Sequence, residues 1–285
     1  MPAPATARRP GAVVIVRSIL FNLLFYLNVL VQMIVFMPAL LLPRRVGMKI
    51  VTNWAKSCVW LLRVVGGVKL EVRGESRRRS GPALVAAKHQ SVFETFALIA
   101  FFEDPAFILK HELNLIPLFG WWSARMRMIA VRRGKRSAAL KEMTRVARDA
   151  ARSGRQVIIF PEGTRRSPGA PPQYKIGIAH LYESCGVECL PVALNTGLFW
   201  PRRSPWRFPG TAVIEFLPPI PPGLERMDFI ADLEGRIEAA SDRLLLEAAQ
   251  ESPPPPLPSA ARERLAELGA QAACDATGRP FVAGP

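Results

Sequence analysis

Six short apolar runs, at residues 83–87, 106–109, 128–131, 157–160, 190–194 and 211–216, punctuate the middle of the chain. Between several of them, at 92–102, 137–151 and 176–184, apolar residues recur at helical spacing. Short runs apolar on every position suit strands covered on both faces, and helices between them supply the crossovers that parallel pairing needs. The pattern predicts an α/β fold with a mostly parallel central sheet flanked by helices. In such a sheet the carboxyl ends of the strands gather on one edge, where ligands bind. The residues just after each run are therefore where chemistry is expected.

Ahead of this region, residues 19–42 contain no charged side chain. A helix of that length, rising 1.5 Å per residue, matches a hydrocarbon core of roughly 30 Å. The stretch is longer than a signal-peptide core and no small-residue cleavage site follows it. Asn22, Asn28, Gln32 and Pro38 interrupt it, and basic residues flank both sides: Arg8, Arg9 and Arg17 before, Arg44, Arg45 and Lys49 after. Charge asymmetry therefore assigns no orientation. The expectation is an N-terminal hydrophobic membrane-anchoring helix or hairpin, with single span and re-entrant hairpin both open. Residues 54–65, apolar but bearing Lys56 and Arg63, suit an interfacial helix or an ordinary core helix equally. Residues 224–249 read as a long amphipathic helix, the proline-rich 252–259 ends regular structure, and the helical pattern at 260–273 is expected to add little to the core. The chain divides into a membrane-anchoring segment (1–66), a catalytic domain (67–250) and a proline-rich linker with a tail (251–285).

The formal net charge is +15 over 285 residues. The basic residues are dispersed, without a zinc finger, an RNP-like strand or a long basic helix, which argues against nucleic acid. An anionic membrane surface and a phosphorylated substrate account for the charge more simply. Of the cysteines, Cys58, Cys185, Cys189 and Cys274, only Cys185 and Cys189 are close in sequence, and no His or second pair accompanies them. They read as free thiols of a reducing compartment, not as a zinc site.

His89 follows the first apolar run, and Glu94 comes five residues later. If a helix begins near Ser91, the two side chains can meet, and a carboxylate on one imidazole nitrogen leaves the other as a general base of fixed tautomer. The same residues fit a capping box, Ser91 at the N-cap and Glu94 at N3, and a carboxylate has oxygens enough for both roles. Phe160-Pro161-Glu162-Gly163-Thr164-Arg165 starts at the last residue of the fourth run. Gly163 permits close backbone approach, Thr164 offers a hydroxyl, and Arg165 a fork for phosphate. Glu162 suits orienting an arginine or bonding to a substrate hydroxyl. The alternative is an ordinary charged turn. Lys110, Arg132 and Arg133 follow other runs and would join the same edge. A base beside an anion site suggests proton abstraction from a hydroxyl of a phosphorylated substrate, with an acyl thioester as the electrophile and, given the anchor, a lipid as substrate. Ser91 lacks a G-x-S-x-G setting and Cys185 lacks a base nearby in sequence, so covalent hydrolase or transferase chemistry is disfavoured. His89, Glu162 and Arg165 together speak against a non-enzymatic membrane scaffold.

These residues resemble the ordered motifs of the glycerophospholipid acyltransferases, in particular bacterial lysophosphatidic acid acyltransferases. The first motif, a His, four residues and an Asp, is matched by His89 to Glu94, with Glu in place of Asp. The second is matched by Lys110-His111-Glu112-Leu113 through Pro117 and Gly120 to Arg132, the third by Phe160 to Arg165 with Lys175 and Gly177, and the fourth by Leu190-Pro191-Val192-Ala193. The resemblance implies that His89 takes the proton from the sn-2 hydroxyl of a 1-acyl-glycerol-3-phosphate. The oxygen then attacks an acyl-ACP or acyl-CoA thioester without an acyl-enzyme, and Arg132 and Arg165 hold the phosphate. It implies no metal, and no cofactor is expected. A bacterial inner-membrane enzyme is expected, and because acyl-ACP and acyl-CoA are cytosolic, its catalytic domain is expected on the cytoplasmic face. The head group stays open: another lysolipid acceptor, such as a lyso-ornithine lipid, fits the same motifs.

Overall fold

A computed structural model of the chain describes residues 10–78, 80–132 and 136–277. Arg8, Arg9 and Arg133 lie outside the described residues. The chain opens with α1 (Ala12–Val35), a 3-10 turn (Met37–Leu41) and α2 (Arg44–Leu61), which ends in a π-helical turn (Leu62–Gly66). Pro38 lacks the amide that α1 would need to continue, so the chain breaks there and α2 restarts after Pro43. The result is a helical hairpin. Its polar interruptions face protein: Asn28 donates to Ser57 Oγ at 3.0 Å, Gln32 to the same oxygen at 3.1 Å, and Asn22 to the Pro205 carbonyl at 2.9 Å. On the other side Val13, Val16, Leu23, Leu27 and Ile34 are exposed. Helix α1 is the one described helix long and apolar enough to cross a membrane. Only Ser18, Phe21 and Phe25 along it are buried, against the α/β domain.

The domain contains β1 (Val68–Arg73), β2 (Ala83–Ala87), α3 (Phe93–Ala97), β3 (Pro105–Lys110), α4 (Phe119–Arg125), β4 (Ile129–Val131), α5 (Arg136–Arg152), β5 (Gln156–Ile159), α6 (Gly177–Cys185), β6 (Cys189–Leu194), α7 (Thr196–Phe199), β7 (Gly210–Phe216) and α8 (Arg226–Ala249). The strands form one sheet in the order β1-β7-β6-β2-β5-β3-β4. Every neighbouring pair is parallel except β6 and β7. The expected α/β architecture is present, and the six apolar runs coincide with β2 to β7. The predicted helix at 92–102 is shorter: α3 gives way to a 3-10 turn, Leu98–Phe101. Strand β1 does not read as an apolar run because its residues alternate, with Lys69 and Glu71 between apolar positions at the sheet edge.

Side-chain alternation along β2 sorts the core into two layers. Ala83, Val85 and Ala87 pack with α1, α2 and α3, while Leu84 and Ala86 pack with α5, α6 and α8. The ladder continues one residue further, as Lys88 N donates to the Val192 carbonyl at 2.9 Å. Lys88 and His89 therefore leave the strand end toward opposite layers. The tail helix α9 (Ser259–Thr277) contributes more than expected. Ala261 is fully buried, Leu265 packs on the core, and Arg264 pairs with Asp242 at 2.6 Å.

Candidate active site

Because β2 and β5 are parallel neighbours, His89 and the segment 160–165 emerge side by side. The imidazole stacks on Phe160, with ring centroids 3.9 Å apart. The His89 carbonyl accepts the Arg166 amide at 2.8 Å, which stitches the two loops together. Nδ1 of His89 meets Glu94 Oε1 at 2.8 Å. With Nδ1–H donating, Nε2 is the basic nitrogen; it has no hydrogen-bond partner among the described residues, and His89 lines a large cavity.

Glu94 is fully buried, so each oxygen needs donors. Oε1 also accepts the Gln90 amide at 2.7 Å and the Ser91 amide at 2.6 Å, and Oε2 accepts the Thr196 hydroxyl at 2.7 Å. The Ser91 amide contact and the Phe93 amide bond to Ser91 Oγ, at 3.2 Å, resemble a capping box, but the helix begins one residue later than expected, with Val92 at its N-cap. Glu94 thus closes the turn ahead of α3 and holds the imidazole at once. Ser91 Oγ donates to the Trp200 carbonyl at 2.7 Å, which commits it to structure. Cys185 and Cys189 are buried, and burial pushes the Cys185 thiol up to about 11 and raises that of Cys189, so neither is a ready nucleophile.

The cavity, about 890 Å³, lies beside α1, α2 and α3. That is near the top of the range of roughly 300–1,000 Å³ common for small-molecule sites. Phe25, Val29, Trp54, Phe96, Ile99 and Met128 give it apolar walls, and Lys110, Gly163, Thr164, Arg165, Lys175 and Arg202 add polar groups to its lining. Gly163 turns with φ +64°, a left-handed conformation that favours glycine, and so presents the loop to the cavity. The Arg165 guanidinium has no protein partner among the described residues, while Arg202 donates to the Arg165 carbonyl at 2.8 Å. Four cations and long apolar walls suit an amphipathic anion.

Two expected substrate contacts sit elsewhere. Arg132 is exposed beyond β4 and does not line the cavity. Glu162 is buried and does not line it either; its side chain turns to the opposite layer, where Lys88 Nζ lies 3.2 Å from Oε1. Lys88 also meets both oxygens of Glu238, at 2.7 and 2.8 Å, and Tyr174 donates to Glu238 at 3.0 Å. Burial raises the Glu162 carboxyl above its usual range, against the pull of Lys88. The Glu162 carboxylate also faces the His89 backbone amide. Glu162 is therefore an organiser of the strand ends. Sequence reading missed Lys88, Thr196, Arg202 and Glu238. Lys88 carried a signal, since it precedes His89 and must face the other layer. Glu238 carried none, being 150 residues from its partner.

The family model described as Acyltransferase matches residues 69–195, the span from β1 to the end of β6. A 1-acyl-sn-glycerol-3-phosphate acyltransferase of Pseudomonas aeruginosa is 36% identical over 226 residues, covering 79% of this chain and 88% of that protein. One from Chlamydomonas reinhardtii is 28% identical over 255 residues, covering 85% and 74%. Among solved structures, the 1-acyl-sn-glycerophosphate acyltransferase of Thermotoga maritima superposes with a TM-score of 0.69 at 23% identity, covering 80% of this chain and 96% of that one, so the fold is shared. With these matches spanning the His89 and Arg165 loops, the chain is an acyltransferase and belongs to the 1-acyl-sn-glycerol-3-phosphate acyltransferase family.

Proposed function

We propose that the chain transfers a fatty acyl group from a thioester to the sn-2 hydroxyl of 1-acyl-sn-glycerol-3-phosphate, giving phosphatidic acid. The observation that carries this reading is the His89–Glu94 pair at 2.8 Å, opening onto a cavity with apolar walls and the cations Lys110, Arg165, Lys175 and Arg202. His89 Nε2 takes the hydroxyl proton as the oxygen attacks the thioester carbonyl. The C–O bond forms, the C–S bond breaks as the tetrahedral intermediate collapses, and the proton passes from Nε2 to the leaving thiolate. Glu94 stabilises the imidazolium in between and holds the tautomer. The acyl chain lies along the apolar wall, and the acceptor phosphate meets Arg165, aided by Lys110 and Arg202. Thr164 adds a hydroxyl beside them, and Gly163 gives the loop its approach. Arg132, further out, guides the anion toward the edge of the sheet.

The protein associates with membrane, and in this reading it does so through the hairpin at a bacterial inner membrane. Acyl-ACP and acyl-CoA donors are cytosolic, which places the catalytic domain on the cytoplasmic face. Purified enzyme offered lysophosphatidic acid and a lyso-ornithine lipid side by side, with either donor, tests the proposal. Turnover of the phosphate-bearing acceptor is expected to dominate, because a zwitterionic ornithine head group has no phosphate for these cations. Preference for the ornithine acceptor overturns the assignment.

A further inference from the structure

The loop between β3 and β4 exposes apolar side chains that the domain does not use. Leu115 is 72% exposed, Trp121 56% and Ile116 49%, within one short stretch on either side of Pro117. This stretch is fastened to the tip of the N-terminal hairpin. Arg125 Nε donates to the Leu40 carbonyl at 2.6 Å and its other arm reaches the Leu42 carbonyl. Trp122 Nε1 donates to the Met33 carbonyl at 3.2 Å. Trp122 and Met126 pack with Ala39 and Met48 in a small core of their own. At the same tip Leu41 is 88% exposed. The loop is thus tied to the hairpin tip, and both carry exposed apolar side chains. An exposed apolar surface of this extent marks an interaction site.

The cavity opens on the same side. Tyr26 of α1 and Leu113 and Ile116 of the loop both line it and reach solvent, so part of its rim is apolar. An apolar rim disfavours water and favours hydrocarbon. Exposed Arg45 and Lys49, in the first two turns of α2, supply charge of the sign that anionic head groups attract.

We propose that the β3–β4 loop is a second membrane-inserted element, with Leu115 and Trp121 entering the head-group and upper acyl region of an anionic bilayer beside the hairpin. The cavity mouth then opens between α1 and the loop into lipid, and the acceptor slides in from the leaflet without crossing water. This deepens the acyltransferase reading and rests on membrane association through the hairpin. Neither Leu115 nor Trp121 lines the cavity, so their replacement separates docking from chemistry.

The full chain, reconstituted into phosphatidylethanolamine–phosphatidylglycerol vesicles, provides the test. The fluorescence difference between wild type and Trp121→Phe isolates the Trp121 signal. Brominated acyl chains are expected to quench that signal about twofold or more, with little quenching by aqueous acrylamide. Leu115→Glu/Trp121→Glu is expected to raise the apparent KM for a vesicle-borne acceptor about tenfold, while kcat/KM for a short-chain acceptor below its micellar concentration is unchanged. A Trp121 signal open to acrylamide and untouched by bromine overturns the proposal. So does equal loss on both acceptors. Conversion of a dimer to a monomer in detergent by the double variant, without change in the vesicle kinetics, assigns the patch to a second copy of the chain instead. If wild type itself fails to float with vesicles, membrane association through the hairpin fails, and the proposal with it; the activity on the short-chain acceptor then still reports on the chemistry independently.

Discussion

Glu94 binds the His89 imidazole through the same oxygen that accepts the Gln90 and Ser91 amides, so the turn ahead of α3 and the imidazole orientation share one atom. A change at Glu94 must therefore be read on turnover and stability together. In Glu94→Gln the amide oxygen can still accept from the backbone, but the charge that stabilises the imidazolium is gone. Turnover is expected to fall about 10²-fold or more while stability changes by about 1 kcal/mol. Glu94→Asp keeps the charge and loses a methylene that the present contacts use, and it is expected to retain partial activity. Single-turnover kinetics with parallel thermal unfolding check both.

The Arg165 guanidinium has no protein partner among the described residues and lines the cavity, so its loss should be felt by the ligand before the fold. Arg165→Ala is expected to raise the KM for the phosphate-bearing acceptor at least about tenfold, and Arg165→Lys to recover only part, because an ammonium lacks the planar fork. Varying acceptor and donor separately decides it: a donor-only effect places the acyl carrier, not the acceptor phosphate, at Arg165.

Lys88 is buried between Glu162 and Glu238, with side-chain exposures of 3%, 1% and 21%. Lys88→Met leaves Glu238 without its cation and Glu162 with only Arg166, 4.0 Å away, and is expected to cost about 3 kcal/mol. Glu238→Gln, which leaves Lys88 with Glu162, should cost less. Denaturant unfolding in matched detergent measures the difference, and equal, negligible losses would show that the cluster does not hold the strand ends.

Much of this arrangement was legible in the sequence, and the reasons differ by element. Strands buried on both faces announce themselves as apolar runs, which is why β2 to β7 were visible. Edge strand β1 alternates and was not. His89, Glu94 and the loop from Phe160 to Arg165 were legible because each follows such a run and a parallel sheet must bring them to one edge. Glu162 was placed on that edge correctly but not its side chain, since one residue of register decides which layer it enters. Arg202 and Glu238 come from segments whose position depends on the antiparallel β6–β7 pair and on the path of α8, which no local pattern encodes.

Asp104 joins three segments. It takes both arms of the α2 residue Arg44 and lies 3.2 Å from Arg155 at the start of β5. Burial opposes its charge, but hydrogen bonds and attraction from Arg44 and Arg155 win and hold its carboxyl below the usual range. A lowered folded pKa means that the unfolded chain binds more protons. The stabilisation is therefore present above the unfolded pKa of about 4 and is lost as pH falls through the folded value. Asp104→Asn is expected to cost about 2 kcal/mol at pH near 7, with the gap to wild type closing below about pH 4. Unfolding curves for both proteins across that window check the sign; a gap that widens in acid contradicts it.

Single-turnover acyl transfer by His89→Ala at saturating donor and acceptor tests the proposed role of His89 as the base. The variant is expected to fold, to bind membranes and to bind both substrates as wild type does, because His89 contributes one stacked ring and one hydrogen bond to the site. Its rate of product formation is expected to fall about 10²–10⁴-fold or more, as for loss of a positioned proton acceptor. A folded, membrane-bound His89→Ala protein that transfers acyl groups at near the wild-type rate would contradict that role.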